Sequence, residues 1–429
     1  MNNDTSSSRE LLKSFDGVLN SLTTGEDYKN KPPRGPPATL ASLSEDELNS
    51  LKQTVYGENL DIKTRSYSEI TINVEGDMKP KNVVLPKEES LSDINICGID
   101  GSNQRINRNC FYFIISRASL VNFRYSKPGY KPYFYTKNRD SSGVVWVDGN
   151  VFNEDVSLHS HFLKTNGKLT HILPKLDKED NVPFLIAYDP SKSEKRPSAQ
   201  ALGWGVKIQQ ALELSLIKKV PVDIQTICIR DGPLFSTSVS PQDNISGLNP
   251  IFAWKNQILI SCSKRIADST LIVEALLQQP TLRDYWFPNQ NITDQTLNSV
   301  ATDSLLLPKI LSPGQRTPLM AAVPLARQEI VKQEKELMPL TCYYYRRLKP
   351  HNFIRLELPK FMWEKNKELV DKAIEIVAWQ HELGKDAPLV QAFADKRCQL
   401  SSEKIILKKQ TAAALKKKNL EIPEGYDDE

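Results

Sequence analysis

The sequence predicts an α/β fold in which helices flank a mixed central sheet. Two short apolar segments rich in β-branched residues, 94–102 and 226–234, each contain Asp-Gly where the apolar run ends. Such a segment is typical of a buried strand that carries one carboxylate at its C-terminal edge. Two further strand patterns, 110–121 and 144–147, and a long helix pattern at 197–219 lie between the acid-bearing strands. This order of strands and helix favours a layered α/β architecture.

The composition limits the class of protein. The 429 residues leave room for one large domain or two ordinary ones, and a net charge of +4 is no global signature of nucleic-acid binding. The six cysteines are spread singly, without a Cys-x-x-Cys pair, which argues against a zinc site or a disulfide framework and fits a reduced cytoplasm. The polar N-terminus is unlike a signal peptide, and no apolar run approaches the ~20 residues that span a bilayer. We therefore expect a soluble, cytoplasmic protein that does not associate with a membrane.

The first part of the chain is predicted to be a helical N-terminal extension covering residues 1–60. It contains two helix patterns, 8–22 and 44–55, joined by a proline-rich linker that cannot continue either helix. The extension either docks on a partner or wraps back over the body of the protein. The remaining residues, 61–429, are predicted to form one domain with its core at about 90–410.

Three acids stand out as candidate functional residues: Asp100, Glu213 and Asp231. Asp-Gly is a common turn dipeptide, and we interpret a third copy, at Asp148, as a turn only. The order of the other two strands, with the Glu213 helix between them, resembles the RNase H-like fold. That fold carries acids on its first and fourth strands and on the intervening helix. Because leucines flank Glu213, we favour an orientation toward a site; a partly exposed helix acid is the alternative.

These three carboxylates form a set of hard oxygen donors. Such donors suit Mg²⁺ or Mn²⁺ better than zinc or copper. Two such ions ~3.5–4 Å apart activate a water molecule and stabilise the leaving oxygen of a phosphodiester. The sequence therefore predicts a divalent-metal site that hydrolyses phosphodiesters.

Basic and aromatic side chains downstream suit a nucleic-acid substrate. A strand at 258–265 ends in two cations, a turn at 312–319 presents an arginine, and a hairpin of 341–348 with 353–359 has a polar face rich in Arg and Tyr. An equally good interpretation of the tyrosines is a strand that alternates core and surface aromatics. The side chains predicted to hold phosphates or to stack on unpaired bases are Lys264, Arg265, Arg316, Arg346 and Tyr344.

Seven segments, taken together and in order, resemble the NurA-type nuclease family over roughly residues 90–410. They are Gly98–Ser102, Glu213, Arg230–Leu234, Ser263–Lys264, Gly314–Leu319, Ile354–Pro359 and Pro388–Asp395. No single segment is specific; their number and order are. The resemblance implies an RNase H/PIWI-like fold and a Mn²⁺-dependent or Mg²⁺-dependent deoxyribonuclease that processes DNA ends. It also implies a homodimer that works with a HerA-type hexameric ATPase, in DNA repair or in defence against phage.

The chain departs from the family pattern at one position. Family members usually close with Ala-His, and that histidine completes the metal site, whereas this chain has Ala-Asp, ending in Asp395. Aspartate is an equally good oxygen ligand for Mg²⁺ or Mn²⁺, so the resemblance implies that Asp395 completes the site with a charge that tightens metal binding. It also implies a catalytic role for Lys264 beside Asp100, Glu213 and Asp231.

Two alternative functions remain open at the level of the sequence. A PIWI-like nuclease shares the Gly-Ile-Asp and Arg-Asp-Gly motifs, but the segments after Asp231 fit the NurA type better. A non-catalytic platform that docks on an ATPase partner and regulates it would keep its acids for structure. Loss of cleavage in an Asp100→Ala variant would separate a nuclease from such a platform.

Overall fold

The computed structural model describes most of the chain after residue 72. The described residues are 73–107, 111–124, 139–148, 197–264 except 237, 269–288, 302–348 and 352–401 except 385, with isolated positions between these ranges and up to 413. The N-terminal extension predicted for 1–60 and the predicted phosphate contact Arg265 lie outside the described residues.

The chain forms two compact units. The first comprises the described parts of Val84–Cys262 and Met362–Glu429. The second comprises those of Ser263–Phe361 and Arg34–Val83. Each unit is made of segments distant in sequence, and the single domain predicted over 61–429 stays a prediction.

The strands are numbered along the chain as β1 Asn73–Glu75, β2 Lys81–Asn82, β3 Asn95–Asn107, β4 Phe111–Arg124, β5 Arg139–Asp148, β6 Thr226–Asp231, β7 Gln257–Ser263, β8 Gln315–Arg316, β9 Leu319–Ala321, β10 Pro339–Tyr345 and β11 Phe353–Pro359. The α-helices are α1 Pro197–Leu216, α2 Pro241–Leu248, α3 Leu271–Gln278, α4 Pro280–Trp286, α5 Asp303–Ile310, α6 Gln328–Gln333, α7 Lys360–Lys365, α8 Lys367–Leu383 and α9 Leu389–Cys398.

In the first unit the strands follow the order β7-β6-β3-β4-β5. The three strands β7, β6 and β3 are parallel, whereas β3, β4 and β5 are antiparallel. The predicted mixed sheet flanked by helices is therefore confirmed. The inner strands β6 and β7 are almost entirely buried, which explains why their segments are nearly continuous runs of apolar residues.

Helices α1 and α9 cover opposite faces of this sheet. A Cβ atom at Gly98 would lie 2.7 Å from the carbonyl oxygen of Val390 on α9. A Cβ atom at Gly101 would lie 2.6 Å from the Oε1 atom of Glu213 on α1. Successive residues of a strand point to opposite faces, so positions 98 and 101 face opposite ways. Both helices therefore approach β3 closely where it carries no side chain.

The second unit is built on the predicted hairpin, which is confirmed as the antiparallel pair β10 and β11. Strands β9 and β8 also pair with β10, and the short strands β1 and β2 pair with β9 and β8. Helices α3, α4 and α5 supply most of an apolar core that packs against Met320, Tyr343 and Tyr345. Segments far apart in sequence thus complete this unit.

A buried carboxylate, Asp303, joins two helices of the second unit. Its Oδ1 atom accepts hydrogen bonds from the backbone N–H groups of Ile272 (2.8 Å) and Val273 (3.2 Å), at the start of α3. Its Oδ2 atom accepts from the Ser269 hydroxyl at 2.8 Å and the Tyr343 hydroxyl at 2.7 Å. Burial raises the pKa of Asp303, and these hydrogen bonds oppose the rise. The residue caps α3 from a distance in sequence, because those backbone donors lack partners within the helix.

In the C-terminal part of the first unit, one continuous helical pattern is divided between two helices, α7 and α8. The helical periodicity at 361–383 is interrupted at Asn366, whose side chain accepts a hydrogen bond from the Leu369 N–H at 2.9 Å and so caps α8. The described positions between 401 and 413 are helical. Among the described residues, no helix combines the length and the apolar character that crossing a membrane requires.

Candidate metal centre

Three potential metal ligands converge beside β3. Asp100 is buried on this strand, and Asp395 and Cys398 lie one turn apart on α9. One ligand atom from each residue can be chosen so that all three atoms lie within 4.8 Å of one another. The Oδ1 atom of Asp100 also accepts a hydrogen bond from the Gly101 N–H at 2.7 Å. A divalent cation fits this donor set, since carboxylates and a thiolate are established ligands for such ions.

The position of α9 depends on Gly98. This glycine lies two residues before Asp100 and therefore on the same face of β3. The backbone of Val390 and Gln391 packs directly against it, in space that any side chain would fill. The glycine thereby lets the helix come close enough for Asp395 and Cys398 to reach Asp100.

Asp231 lies at the same edge of the sheet as Asp100. In the parallel pair of β3 and β6, Ile99 is opposite Arg230, so the two aspartates follow side by side on neighbouring strands. Strands so paired lie about 4.8 Å apart. The parallel register therefore brings these two predicted ligands to one edge, as the two Asp-Gly motifs indicated.

Glu213 has a different environment from the two aspartates. It is buried on α1, on the opposite face of the sheet, and its Oε2 atom lies 3.3 Å from the Arg230 guanidinium. Its Oε1 atom accepts a hydrogen bond from the Gln209 amide at 3.0 Å. Burial raises the pKa of Glu213, the charge of Arg230 and the Gln209 hydrogen bond oppose that rise, and the charge of Asp231 adds to it. Asp231 is thus close enough to raise the pKa of Glu213, whose charge is already compensated by the Arg230 guanidinium.

Arg230 also fixes the turn that follows Asp231. Its guanidinium donates to the carbonyl oxygens of Pro233 (3.0 Å) and Leu234 (3.1 Å) and to the Ser236 hydroxyl. Gly232 in this turn has φ +82°, a conformation that disfavours other residues. The Arg-Asp-Gly motif therefore combines a buried anchor, a candidate ligand and a turn that needs glycine.

Several predicted nucleic-acid contacts lie in the core of the second unit. Tyr344 is fully buried, and Arg316 and Arg346 are each 4% exposed. Strand β10 is buried on both faces, and the guanidinium of Arg316 donates to the Thr317 carbonyl, so these three side chains do not form an exposed surface here. Their contact with nucleic acid stays a prediction. Lys264 is partly exposed and directly follows β7, so its predicted role stays a prediction.

Two side chains at this centre, those of Cys398 and Gln209, were not predicted from the sequence. Cys398 was counted among singly spread cysteines, although its spacing of three residues after Asp395 places both side chains on one helix face. Gln209 was also not singled out, although its position four residues before Glu213 places both side chains on one face of α1, where they form a hydrogen bond. Burial raises the pKa of the Cys398 thiol well above its usual range, and the negative charges of Asp100, Asp395 and Glu213 raise it further.

The fold and the centre define an α/β protein with acidic groups at one edge of a mixed sheet. No family model matches the chain, and no curated protein matches it in sequence. The chain is similar to the crystal structure of the NurA nuclease from Sulfolobus solfataricus, with 11% identity and a TM-score of 0.38, over 87% of this chain and 96% of that one. A second NurA crystal structure has 9% identity and a TM-score of 0.36, over 86% of this chain and 96% of that one. A crystal structure of NurA with manganese has 7% identity and a TM-score of 0.35, over 85% of this chain and 96% of that one.

Proposed function

We propose that this chain is a divalent-metal-dependent deoxyribonuclease of the NurA type that hydrolyses phosphodiester bonds. The observation that carries the proposal is the convergence of Asp100 and Asp395 on one largely buried point, with Asp231 at the same sheet edge. Carboxylates held this close repel one another, and burial disfavours their charged forms. A bound cation removes both penalties, so the arrangement favours a metal centre over a purely structural cluster.

Each acid has a distinct part in this proposal. Asp100 and Asp395 hold the ion, and Asp231 approaches it from the neighbouring strand. When bound, such an ion lowers the pKa of a water molecule and stabilises the oxygen that leaves phosphorus. Arg230 and Gln209 orient Glu213. Glu213 then either completes the ligand set or supports β6, the strand that carries Asp231, from the opposite face of the sheet. Lys264 is proposed to contact a phosphate of the substrate.

The finer features of this activity are proposals supported by the seven ordered sequence segments. They are a preference for Mn²⁺ or Mg²⁺ as the working ion, action at DNA ends, and assembly as a homodimer with a HerA-type hexameric ATPase translocase. The corresponding settings are DNA end processing in repair, or defence against phage, in the cytoplasm. A translocase suits a nuclease with a buried centre, because it feeds the strand to the site.

Cleavage of end-labelled linear DNA tests the proposal. Wild-type protein is incubated with duplex and single-stranded DNA in Mn²⁺, Mg²⁺ or EDTA, with and without a co-purified ATPase. We expect metal-dependent cleavage that falls on the order of 100-fold or more in Asp100→Asn, since loss of groups that merely orient ligands already costs 10–100-fold. Asp93→Asn is the matched control, because that side chain is 91% exposed and forms a surface ion pair with Arg124. No cleavage under any of these conditions would refute the nuclease.

The platform that regulates an ATPase is a second candidate function, favoured by one observation. Glu213, one of the predicted catalytic acids, forms a buried ion pair with Arg230, as an acid kept for structure would. A platform would retain partner binding and any stimulation of the ATPase in Asp100→Asn, and would show no cleavage in the wild type. The same set of assays therefore separates the two functions.

A further inference from the structure

The thiol of Cys398 belongs to the group of ligand atoms at the candidate centre. The residue is fully buried on α9, and its Sγ atom lies within 4.8 Å of carboxylate oxygens of Asp100 and Asp395. Its S–H group donates to the carbonyl oxygen of Asp395, 3.2 Å away, which holds the side chain against its own helix. A sulfur atom therefore accompanies oxygen donors where the resemblance supplies oxygen and imidazole ligands.

The same face of α9 contains a second buried polar group. Gln391 lies four residues before Asp395 and seven before Cys398, so all three side chains share one face of the helix. The amide of Gln391 is fully buried, and among the described residues neither its oxygen nor its nitrogen has a hydrogen-bond partner. Buried amides normally have partners, either protein or ordered water. The face of α9 that contains Asp395 and Cys398 therefore also holds a buried amide with no hydrogen-bond partner among the described residues.

Sulfur and oxygen ligands select different metals. Thiolate favours zinc and other thiophilic ions, whereas Mg²⁺ is bound by oxygen ligands. Zinc sites in proteins use three protein ligands when the fourth position is left for water or substrate. Asp100, Asp395 and Cys398 supply three ligands of these types, whose ligand atoms all lie within 4.8 Å of one another.

We propose that Cys398 is a metal ligand together with Asp100 and Asp395, and that this mixed carboxylate and thiolate site binds thiophilic divalent ions such as Zn²⁺ and Co²⁺ in preference to Mg²⁺. On binding, the thiol proton passes to solvent and the sulfur lone pair forms the bond to the ion. One consequence rests on the nuclease proposed above. In that nuclease, Zn²⁺ displaces the working ion and thereby controls DNA cleavage.

Cobalt binding to the full chain tests the proposal without DNA. Titration of the wild-type protein with Co²⁺ is expected to give a thiolate-to-cobalt charge-transfer band in the near ultraviolet. The band disappears in Cys398→Ser, and Co²⁺ affinity falls on the order of 100-fold, beyond the 10–100-fold typical of lost outer-shell partners. Stoichiometric Zn²⁺ removes the band, whereas a large excess of Mg²⁺ leaves it. Cys110→Ser, a change outside the described residues, is the control and keeps the band.

Two results would overturn the proposal: no charge-transfer band in the wild type, or an unchanged band in Cys398→Ser. If Cys398→Ser does not fold, X-ray absorption at the zinc edge of the wild-type protein decides the question. One sulfur at about 2.3 Å is expected, and a shell of oxygen and nitrogen alone contradicts the proposal. Sulfur ligation without any DNA cleavage would refute the nuclease and leave this metal site intact. DNA cleavage without sulfur ligation would refute this metal site and leave the nuclease intact.

Discussion

Replacement of Arg230 by methionine tests the buried ion pair behind the acid-bearing strand. The Arg230 side chain is 1% exposed and lies 3.3 Å from the Oε2 atom of Glu213, which is itself 4% exposed. Methionine fills much of the volume but leaves Glu213 without a compensating charge. Removal of one partner from a buried ion pair typically costs about 3–5 kcal/mol. We expect a decrease of that size in the free energy of unfolding.

Urea unfolding followed by circular dichroism measures this loss as a lower midpoint. The pH dependence gives a second readout. Burial already raises the pKa of Glu213 in the wild type while Arg230 opposes the rise, so the pKa rises further in Arg230→Met. The folded variant then binds more protons than the unfolded chain between the ordinary glutamate pKa of about 4.3 and the raised folded value. Stability therefore falls as the pH rises through this window, and the variant recovers relative to wild type as the pH is lowered toward about 4.3.

Two further variants make the reasoning refutable. Combining Arg230→Met with Glu213→Leu replaces the pair by apolar groups, which is often neutral or stabilising, so most of the loss should be regained. Arg283→Met is the matched control, because the partner Asp294 is 69% exposed and such surface pairs contribute about 0–1 kcal/mol. A loss below 1 kcal/mol in Arg230→Met, or a double variant no more stable than the single one, would show that the uncompensated charge of Glu213 is not what destabilises the variant.

Three other predictions concern the centre and the second unit. Gly98→Ala forces a Cβ atom to 2.7 Å from the Val390 carbonyl, so we expect a loss of about 1–3 kcal/mol in thermal unfolding and weaker Co²⁺ binding as α9 moves. Metal at 100 times its dissociation constant should stabilise the wild type by about 2.7 kcal/mol, an effect that EDTA removes and that Asp100→Asn lacks. Asp303→Asn keeps the shape but removes a charged acceptor of two backbone N–H groups; we expect a loss of about 1.5–3 kcal/mol with unchanged Co²⁺ binding.

The local features of the fold were predictable because they depend on periodicity over a few residues. The helix pattern at 197–219 covers α1 and the short 3-10 helix that follows it. The division into two units was not predictable, because it depends on pairings such as that of Asn82 with Gln315. Such non-local pairings leave no trace in a single sequence.

The burial of the predicted nucleic-acid contacts was not predictable for a related reason. Alternation along 341–348 shows that a strand has two different faces, but it does not show whether a second layer covers the outer face. In the structure both faces of β10 are covered, so Tyr343 and Tyr344 are equally buried. The alternative interpretation was a strand that alternates core and surface aromatics; the structure has the strand, with its tyrosines buried on both faces.

The acids at the sheet edge were easier to place than their helical partner. Parallel pairing of two apolar strands that each end in Asp-Gly brings Asp100 and Asp231 to one edge whatever the length of the connection. Cys398 reaches the same point because α9 packs against Gly98, and the close approach of a helix to a strand nearly 300 residues away is invisible in a sequence. The spacing of Asp395 and Cys398 indicates that the two side chains share one helix face. Only the position of α9 shows that this face lies beside Asp100.

The position of Asp395 itself argues that the centre exists to bind a cation. The residue lies in the last turn of α9, where the helix dipole disfavours a negative charge by about 0.3–1 kcal/mol, and it lies beside the buried acid Asp100. The helix dipole and the neighbouring acid both oppose an aspartate here, whereas the cations Lys396 and Arg397 of the same turn suit the helix end. Proteins retain such conflicts chiefly where function requires them. A divalent ion reverses the sign of each unfavourable interaction, because it neutralises the acids and screens the helix end. Metal binding therefore offsets the interactions that are unfavourable for Asp395.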